Sequence, residues 1–310
     1  MLSQLGSPWL HLETCGSTSD EARKLAKAGK PHGTVVTADA QQHGRGRQGR
    51  VWYSPPGDNL YLSLILRPPL EPKNVPLLTL CAGLAVLEAA QAVLAEHGLL
   101  SSPLLLKWPN DVLAQTPAGL RKVAGILTEM TLAAGRCDFV IVGVGVNVCG
   151  RSFPPSVPAT SLLQLVPDEK PPGSVHDFAL RLLGCFEPLY LRFLRDGAPW
   201  VTAAFSAAAT LTAPGKAVSV STATGTICGE SLGIDSDGAL IIRKDDGFVE
   251  RVTPERQRGV GARTEHVRHT GQLEHVGHVA TTTALDVERV DGAPLEHAQG
   301  VLHAEALVEA

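Results

Sequence analysis

Three arginines and three glycines interleave through Gly44-Arg45-Gly46-Arg47-Gln48-Gly49-Arg50, and the run ends on Val51-Trp52. Glycine lets the backbone curl and each guanidinium offers several fixed donors, so such a loop can wrap a phosphate or a carboxylate. Its glycines satisfy G-x-G-x-x-G, but a dinucleotide fingerprint must open a helix. This one runs instead into Val51-Trp52-Tyr53-Ser54-Pro55-Pro56. A flexible Arg/Gly turn or an RNA-binding segment is the competing reading of the loop taken alone.

A second cluster, Lys107-Trp108-Pro109-Asn110-Asp111, sets a cation, an amide and a carboxylate within five residues at the end of an expected strand. Lysine can neutralise phosphate, and Asn with Asp can position Mg²⁺ or a nucleotide. A plain Pro-Asn-Asp turn would also explain it. Arg121-Lys122-Val123-Ala124-Gly125-Ile126-Leu127 adds a lysine at a strand start, with Gly125 permitting close backbone approach. By itself that lysine reads as an exposed strand-edge residue. In Gly143-Val144-Gly145-Val146-Asn147-Val148 the side chains are small enough for a flat ligand to lie on backbone. No Ser/His/Asp or Cys/His arrangement is evident, so the chemistry on offer is charge neutralisation and alignment rather than a nucleophilic side chain. The pairs His266-x-x-His269 and His275-x-x-His278 invite a metal reading, but a metal site needs a closed ligand set on an ordered frame, and a solvated tail explains them better.

These groups need elements to hold them. Hydrophobic patterning predicts a strand over 9–13 and a helix capped by Gly16-Ser17-Thr18-Ser19 that ends near Gly29. A strand follows at 34–38, a polar loop at 41–58, and an alternating strand at 60–67. One long helix is expected over 77–97, closed by Gly98, then three strands at 104–108, 123–130 and 139–144. The Pro-rich stretch 153–172 reads as a surface crossing, and two helices follow at 175–195 and 199–209. After Pro214-Gly215 four short strands, 217–221, 226–234, 239–243 and 248–252, predict a small β module.

The fold class expected is therefore α+β, a mixed sheet with packed helices followed by a small β-barrel. Domain limits are set at 1–212 for the first unit, 213–260 for the β module and 261–310 for an extension. That extension has no aromatic residue, holds six of the eleven histidines, and is at most helical over 295–310.

The 310 residues suffice for a substantial core, and 44% hydrophobic with 19% charged residues is ordinary for a globular protein. A net charge of −4 argues against a chain built to coat nucleic acid. No apolar run is read as reaching the ~20 residues of a membrane span, no secretory leader is visible, and the scattered cysteines suit reduced thiols, so the expected location is the cytoplasm.

Taken together, in this order and at these separations, the four clusters resemble the catalytic domain of biotin protein ligases, also called biotin-[acetyl-CoA-carboxylase] ligases. The likeness is strong over about 13–147 and looser to about 251, where Gly233-Ile234-Asp235-Ser236-Asp237-Gly238-Ala239-Leu240 is similar to the family's SH3-like C-terminal module. It implies a class II synthetase-like catalytic fold and an ATP-dependent reaction: biotin and ATP give biotinyl-5′-AMP and pyrophosphate, and a carrier lysine then displaces AMP.

By that resemblance Ser17, Thr18, Gln41, Arg45, Arg47, Lys122 and Gly125 bind biotin, with the backbone of Arg45 at the ureido ring. Arg47, Arg50, Trp52, Lys107, Asn110, Asp111, Ile126 and Asn147 bind ATP, Trp52 stacking on adenine. Lys122, Arg47, Arg50 and Asp111 carry catalysis, and Asp111 with Asn110 positions Mg²⁺. Loop 44–52 is expected to close over the intermediate, so losing Arg47 should leak it. The implied partner is a biotin carboxyl carrier protein, and pairing of two copies through sheet edges occurs in the family.

The chain departs from the family pattern at Ser19, where Asn is usual, and at 252–258, where an acidic Ser-Leu-Arg ending is not recognisable. About a dozen residues precede the first motif, too few for a winged helix-turn-helix, so neither operator binding nor repression is expected. The rival readings are a lipoate or octanoate ligase, an inactive biotin-binding homologue, and an RNA-binding protein. The last is disfavoured by 5% aromatic content.

Overall fold

The computed structural model describes residues 5–166, 173–222 and 225–254, and the backbone of 268–269 and 287–288. Its centre is a seven-stranded mixed sheet of order β1-β2-β3-β7-β6-β5-β4. The strands are β1 (Trp9–Cys15), β2 (Val35–Gln41), β3 (Leu60–Leu66), β4 (Leu104–Lys107), β5 (Asp111–Thr116), β6 (Gly119–Ala133) and β7 (Arg136–Val146). Only β1 and β2 run parallel; every other neighbour is antiparallel.

Strand period decides what each face carries. In β7 the residues Val140, Val142, Val144 and Val146 join Leu60, Leu62, Leu64 and Leu66 of β3 in the main core. That face is covered by α2 (Leu77–Glu96) and α4 (Val175–Ala208). The opposite face carries Ile65, Phe139 and Ile141 under α1 (Thr18–Lys27), whose Ala22 and Ala26 pack on them as a small second core.

Several expectations need correction. Strand β3 was expected to alternate, yet all seven residues are buried because helices lie on both of its faces. An unforeseen strand, β5, follows Asn110, so the Lys107-to-Asp111 cluster is a hairpin turn with Lys107 opposite Asp111. Helix α2 lies in a segment, Pro72–Glu96, that is long and apolar enough to cross a membrane, contrary to the sequence reading. With 78% of that window buried between sheet and α4, it is a core helix, apolar all round for that reason. The stretch 153–172 is more than a crossing, since it contains α3 (Leu162–Leu165), started by a capping box at Ser161, and part of it faces the candidate site. The two helices expected at 175–209 are present as α4, broken at Gly197, whose φ of 74° only glycine adopts readily.

The C-terminal module is a small antiparallel sheet of β8 (Ala217–Thr222), β9 (Gly225–Ile234), β10 (Leu240–Arg243) and β11 (Val249–Val252), edged by β12 (Arg268–His269) and β13 (Val287–Glu288). Trp108, 1% exposed, ties it to the main domain by donating its indole N–H to the Gly238 carbonyl at 2.9 Å. Gly238 has a φ of 80°, which glycine adopts without strain, and a Cβ there would also crowd the tip of Leu77 at 2.6 Å, so glycine suits the turn that sits on α2. The possible helix over 295–310 and the pair His275-x-x-His278 lie outside the described residues, as does His266.

His32 gives the fold a pH dependence. Its Nδ1 accepts the backbone N–H of Arg67 at 3.0 Å, which requires an unprotonated nitrogen, and burial followed by the Arg67 charge lowers its pKa below the usual 6.5. Above pH 6.5 the group is neutral folded and unfolded and contributes no slope. Below it the unfolded chain takes up a proton that the fold resists, so stability falls as pH falls. His32→Asn, which can still accept that N–H, is expected to lose less melting temperature than wild type between pH 7 and pH 5. Equal losses in both would remove His32 as a cause.

Candidate active site

Backbone register brings the scattered clusters together. On the α1 side of the sheet Tyr61, Gly145, Gly125 and Asp111 form one row across four strands, and Ser63, Gly143 and Leu127 form the next. The two glycine-rich rows leave the sheet bare between α1 and the β4–β5 hairpin, and a cavity of about 870 Å³ opens there. Gly145 shows why no side chain is tolerated: a Cβ would lie 2.5 Å from the Trp52 ring. The flat group resting on this floor is thus the loop's own indole, with its Nε1 buried and lacking a hydrogen-bond partner among the described residues.

Loop 44–52 folds as a pinched hairpin. Trp52 N–H donates to the Gly44 carbonyl at 2.9 Å and Gly46 N–H to that of Arg50 at 2.8 Å. Gly44 is obligatory, because a Cβ would meet Ser54 Oγ and the Trp52 carbonyl at 2.5 Å. Arg47 Nη1 reaches Asn110 Oδ1 at 3.1 Å, while Asn110 Nδ2 donates to the Ile126 carbonyl, fastening the loop to the hairpin turn and to β6.

Opposite α1, Lys122 Nζ sits 2.7 Å from Asp111 Oδ1 and 5.2 Å from the Trp52 ring centroid. Its backbone is held on both sides: the N–H donates to Pro158, and the carbonyl accepts from Thr160 N–H and Asn147 Nδ2. At the other end a hydrogen-bond relay orders the polar wall. Gln41 Oε1 accepts from Thr18 N–H at 2.9 Å, Gln41 Nε2 donates to Ser54, and Ser63 links Thr18 to Ser19. Ser17, 2% exposed, begins α1 at the same wall.

Residues 14–147 match the Biotin/lipoate A/B protein ligase family and 215–263 match the Biotin protein ligase C terminal domain. The bifunctional ligase/repressor BirA of Bacillus spizizenii is 34% identical over 79% of this chain and 72% of its own length. The chain belongs to the biotin protein ligase family. A biotin--[acetyl-CoA-carboxylase] ligase of Paracoccus denitrificans is also 34% identical, over 74% of this chain and 92% of its own. The biotin protein ligase of Aquifex aeolicus, solved in complex with biotin and ATP, superposes with a TM-score of 0.65 and 29% identity, covering 79% of this chain and 95% of that one.

In this ligase every residue that the resemblance assigned to biotin or ATP lines the same cavity: Ser17, Thr18, Gln41, Arg45, Arg47, Arg50, Trp52, Lys107, Asn110, Asp111, Lys122, Gly125, Ile126 and Asn147. What sequence reasoning missed is the far wall, where Phe153, Ser156, Val157, Pro158 and Ala159 close the cavity beside Lys122. Their proline content signalled a loop but not its direction. Two polar residues on the α1 side of the sheet, Tyr61 at the cavity and the buried Glu129 beyond it, were also passed over as strand interior.

A protein-built metal site does not fit. Among the described residues no three His, Cys, Asp or Glu side chains cluster, both amide atoms of Asn110 are engaged, and Asp111 is paired with Lys122. Asp111 is the single carboxylate among the residues that line the cavity, an arrangement that suits Mg²⁺ arriving on nucleotide phosphates.

Proposed function

We propose that this chain activates biotin with ATP and transfers it to a lysine of a biotin carboxyl carrier protein. The biotin carboxylate oxygen attacks the α-phosphorus of ATP and pyrophosphate leaves; the carrier amine then attacks the acyl carbon and AMP leaves. The observation that supports this most is the convergence on one cavity of a bare glycine floor, a pinned arginine loop and the Lys122–Asp111 pair. The floor accepts a flat ring system, and the loop arginines and Lys122 can neutralise a carboxylate and phosphates as they meet. No side chain needs to act as a nucleophile. A loop closed over the mixed anhydride also keeps water from it.

Within this proposal Ser17, Thr18 and Gln41 meet the ring end of biotin, and Arg47, Arg50, Lys107, Asn110 and Asn147 meet the nucleotide. Trp52, resting on the Gly145 floor beside Lys122, offers its indole to the adenine. The enzyme acts in the cytoplasm, in keeping with six cysteines that are all free thiols. Operator binding forms no part of the proposal.

The test is pyrophosphate release by the purified protein with Mg²⁺-ATP and biotin, with lipoate in parallel and mass spectrometry for bound biotinyl-5′-AMP. Biotin-dependent release with the adenylate retained is the expected result. Release with lipoate alone would replace the substrate, and biotin binding without release would leave only a binding role.

A further inference from the structure

Glu129 takes no part in the chemistry above, yet it is a carboxylate with 8% exposure on the cavity side of β6, two residues beyond Leu127. An ionised carboxylate is retained in such a place only where cations pair with it. Two arginines do so from different elements. Arg23 of α1 places Nη2 2.7 Å from Glu129 Oε1, and Arg45 of loop 44–52 places Nη2 2.8 Å from Glu129 Oε2. Asp20 closes the figure, its Oδ1 2.7 Å from Arg23 and 3.0 Å from Arg45. Two carboxylates and two guanidiniums thus form a neutral square in which three corners belong to the rigid frame and one to the loop.

We infer that Glu129 is a positioning residue that latches the arginine loop shut through Arg45. Opening the loop would withdraw one guanidinium and leave two carboxylates, the nearly buried Glu129 and the half-exposed Asp20, sharing Arg23, and the cost to Glu129 opposes opening. The latch reaches the rest of the loop because its arms are cross-bonded: Arg45 bridges Val51, and the Gly44–Trp52 and Gly46–Arg50 bonds lie on either side. Holding Arg45 therefore holds Arg47 toward Asn110 and Trp52 over the glycine floor. The consequence for function rests on the ligase reading: a latched loop keeps biotinyl-5′-AMP from water until the carrier lysine arrives.

The experiment uses the full chain and has two arms. Trypsin cleavage after Arg45, Arg47 and Arg50 reports loop opening without any substrate. Glu129→Gln keeps the shape but removes the charge, and it is expected to speed cleavage there by about tenfold or more, the scale of a lost charged hydrogen bond. Dissociation of bound biotinyl-5′-AMP should quicken by a similar factor. Arg45→Gln should act alike, and the double variant should be no worse than either single one, since one latch is broken in each. If Glu129→Gln does not fold, Arg45→Gln with its two remaining loop arginines carries the same test. Unchanged loop cleavage in a folded variant, or fully additive effects, overturns the latch. A wild type that makes no adenylate would instead defeat the ligase reading, with the proteolysis arm still deciding on Glu129.

Discussion

Lys122→Ala is expected to slow formation of biotinyl-5′-AMP by about 10²–10³-fold, the scale of removing one preorganised donor from a developing charge. The ammonium is already in place: it faces Asp111 at 2.7 Å, borders Trp52, and springs from a backbone bonded to Pro158, Thr160 and Asn147. Those backbone bonds survive truncation to alanine, so the lost rate reports the charge and not the fold. Single-turnover release of pyrophosphate with saturating biotin and ATP measures it, beside a melting curve. A loss below tenfold in a folded variant would take Lys122 out of the chemical step.

Gly145→Ala is expected to lower kcat/KM for biotin-dependent pyrophosphate release by about 10–100-fold while leaving the sheet folded. The new methyl would stand 2.5 Å from Trp52 Cε2 and 2.7 Å from its Nε1, closer than any real contact, so the indole must be displaced. Overpacking of this kind costs about 1–3 kcal/mol, and here the strain falls on closure of the loop because Val144 and Val146, which bind the strand into the core, point the other way. Tryptophan fluorescence gives an independent reading, since a displaced Trp52 meets water. An unshifted spectrum with unchanged kcat/KM would mean that the indole does not occupy the floor in solution.

Much of the catalytic domain is legible from residue pattern alone because its elements state their period clearly. The valines of β7 fall at every second position, and helix α1 begins behind Ser17 with Asp20 and Glu21 in its first turn. Strand β5 is not legible, since Asp111-Val112-Leu113-Ala114-Gln115-Thr116 has a short apolar centre between polar ends and becomes a strand by pairing on both sides with β4 and β6. The double burial of β3 and the all-round apolar surface of α2 likewise follow from neighbours contributed by distant segments.

For the site the division is similar. Composition and order of residues determined which chemical groups are available: a loop of arginines and glycines, a lysine ahead of a glycine strand, an Asn-Asp turn. They did so because charge, hydrogen-bonding capacity and backbone freedom are properties of single residues and short runs. Only the tertiary structure decided which groups face one another. Register set Gly125 beside Gly145 and Asp111 beside Gly125, so a floor appeared where the sequence showed isolated small residues. Chain crossing brought Pro158 to Lys122 and Arg45 to Glu129, 84 positions away, where the energy of each pair depends on burial and distance that no local run of residues encodes.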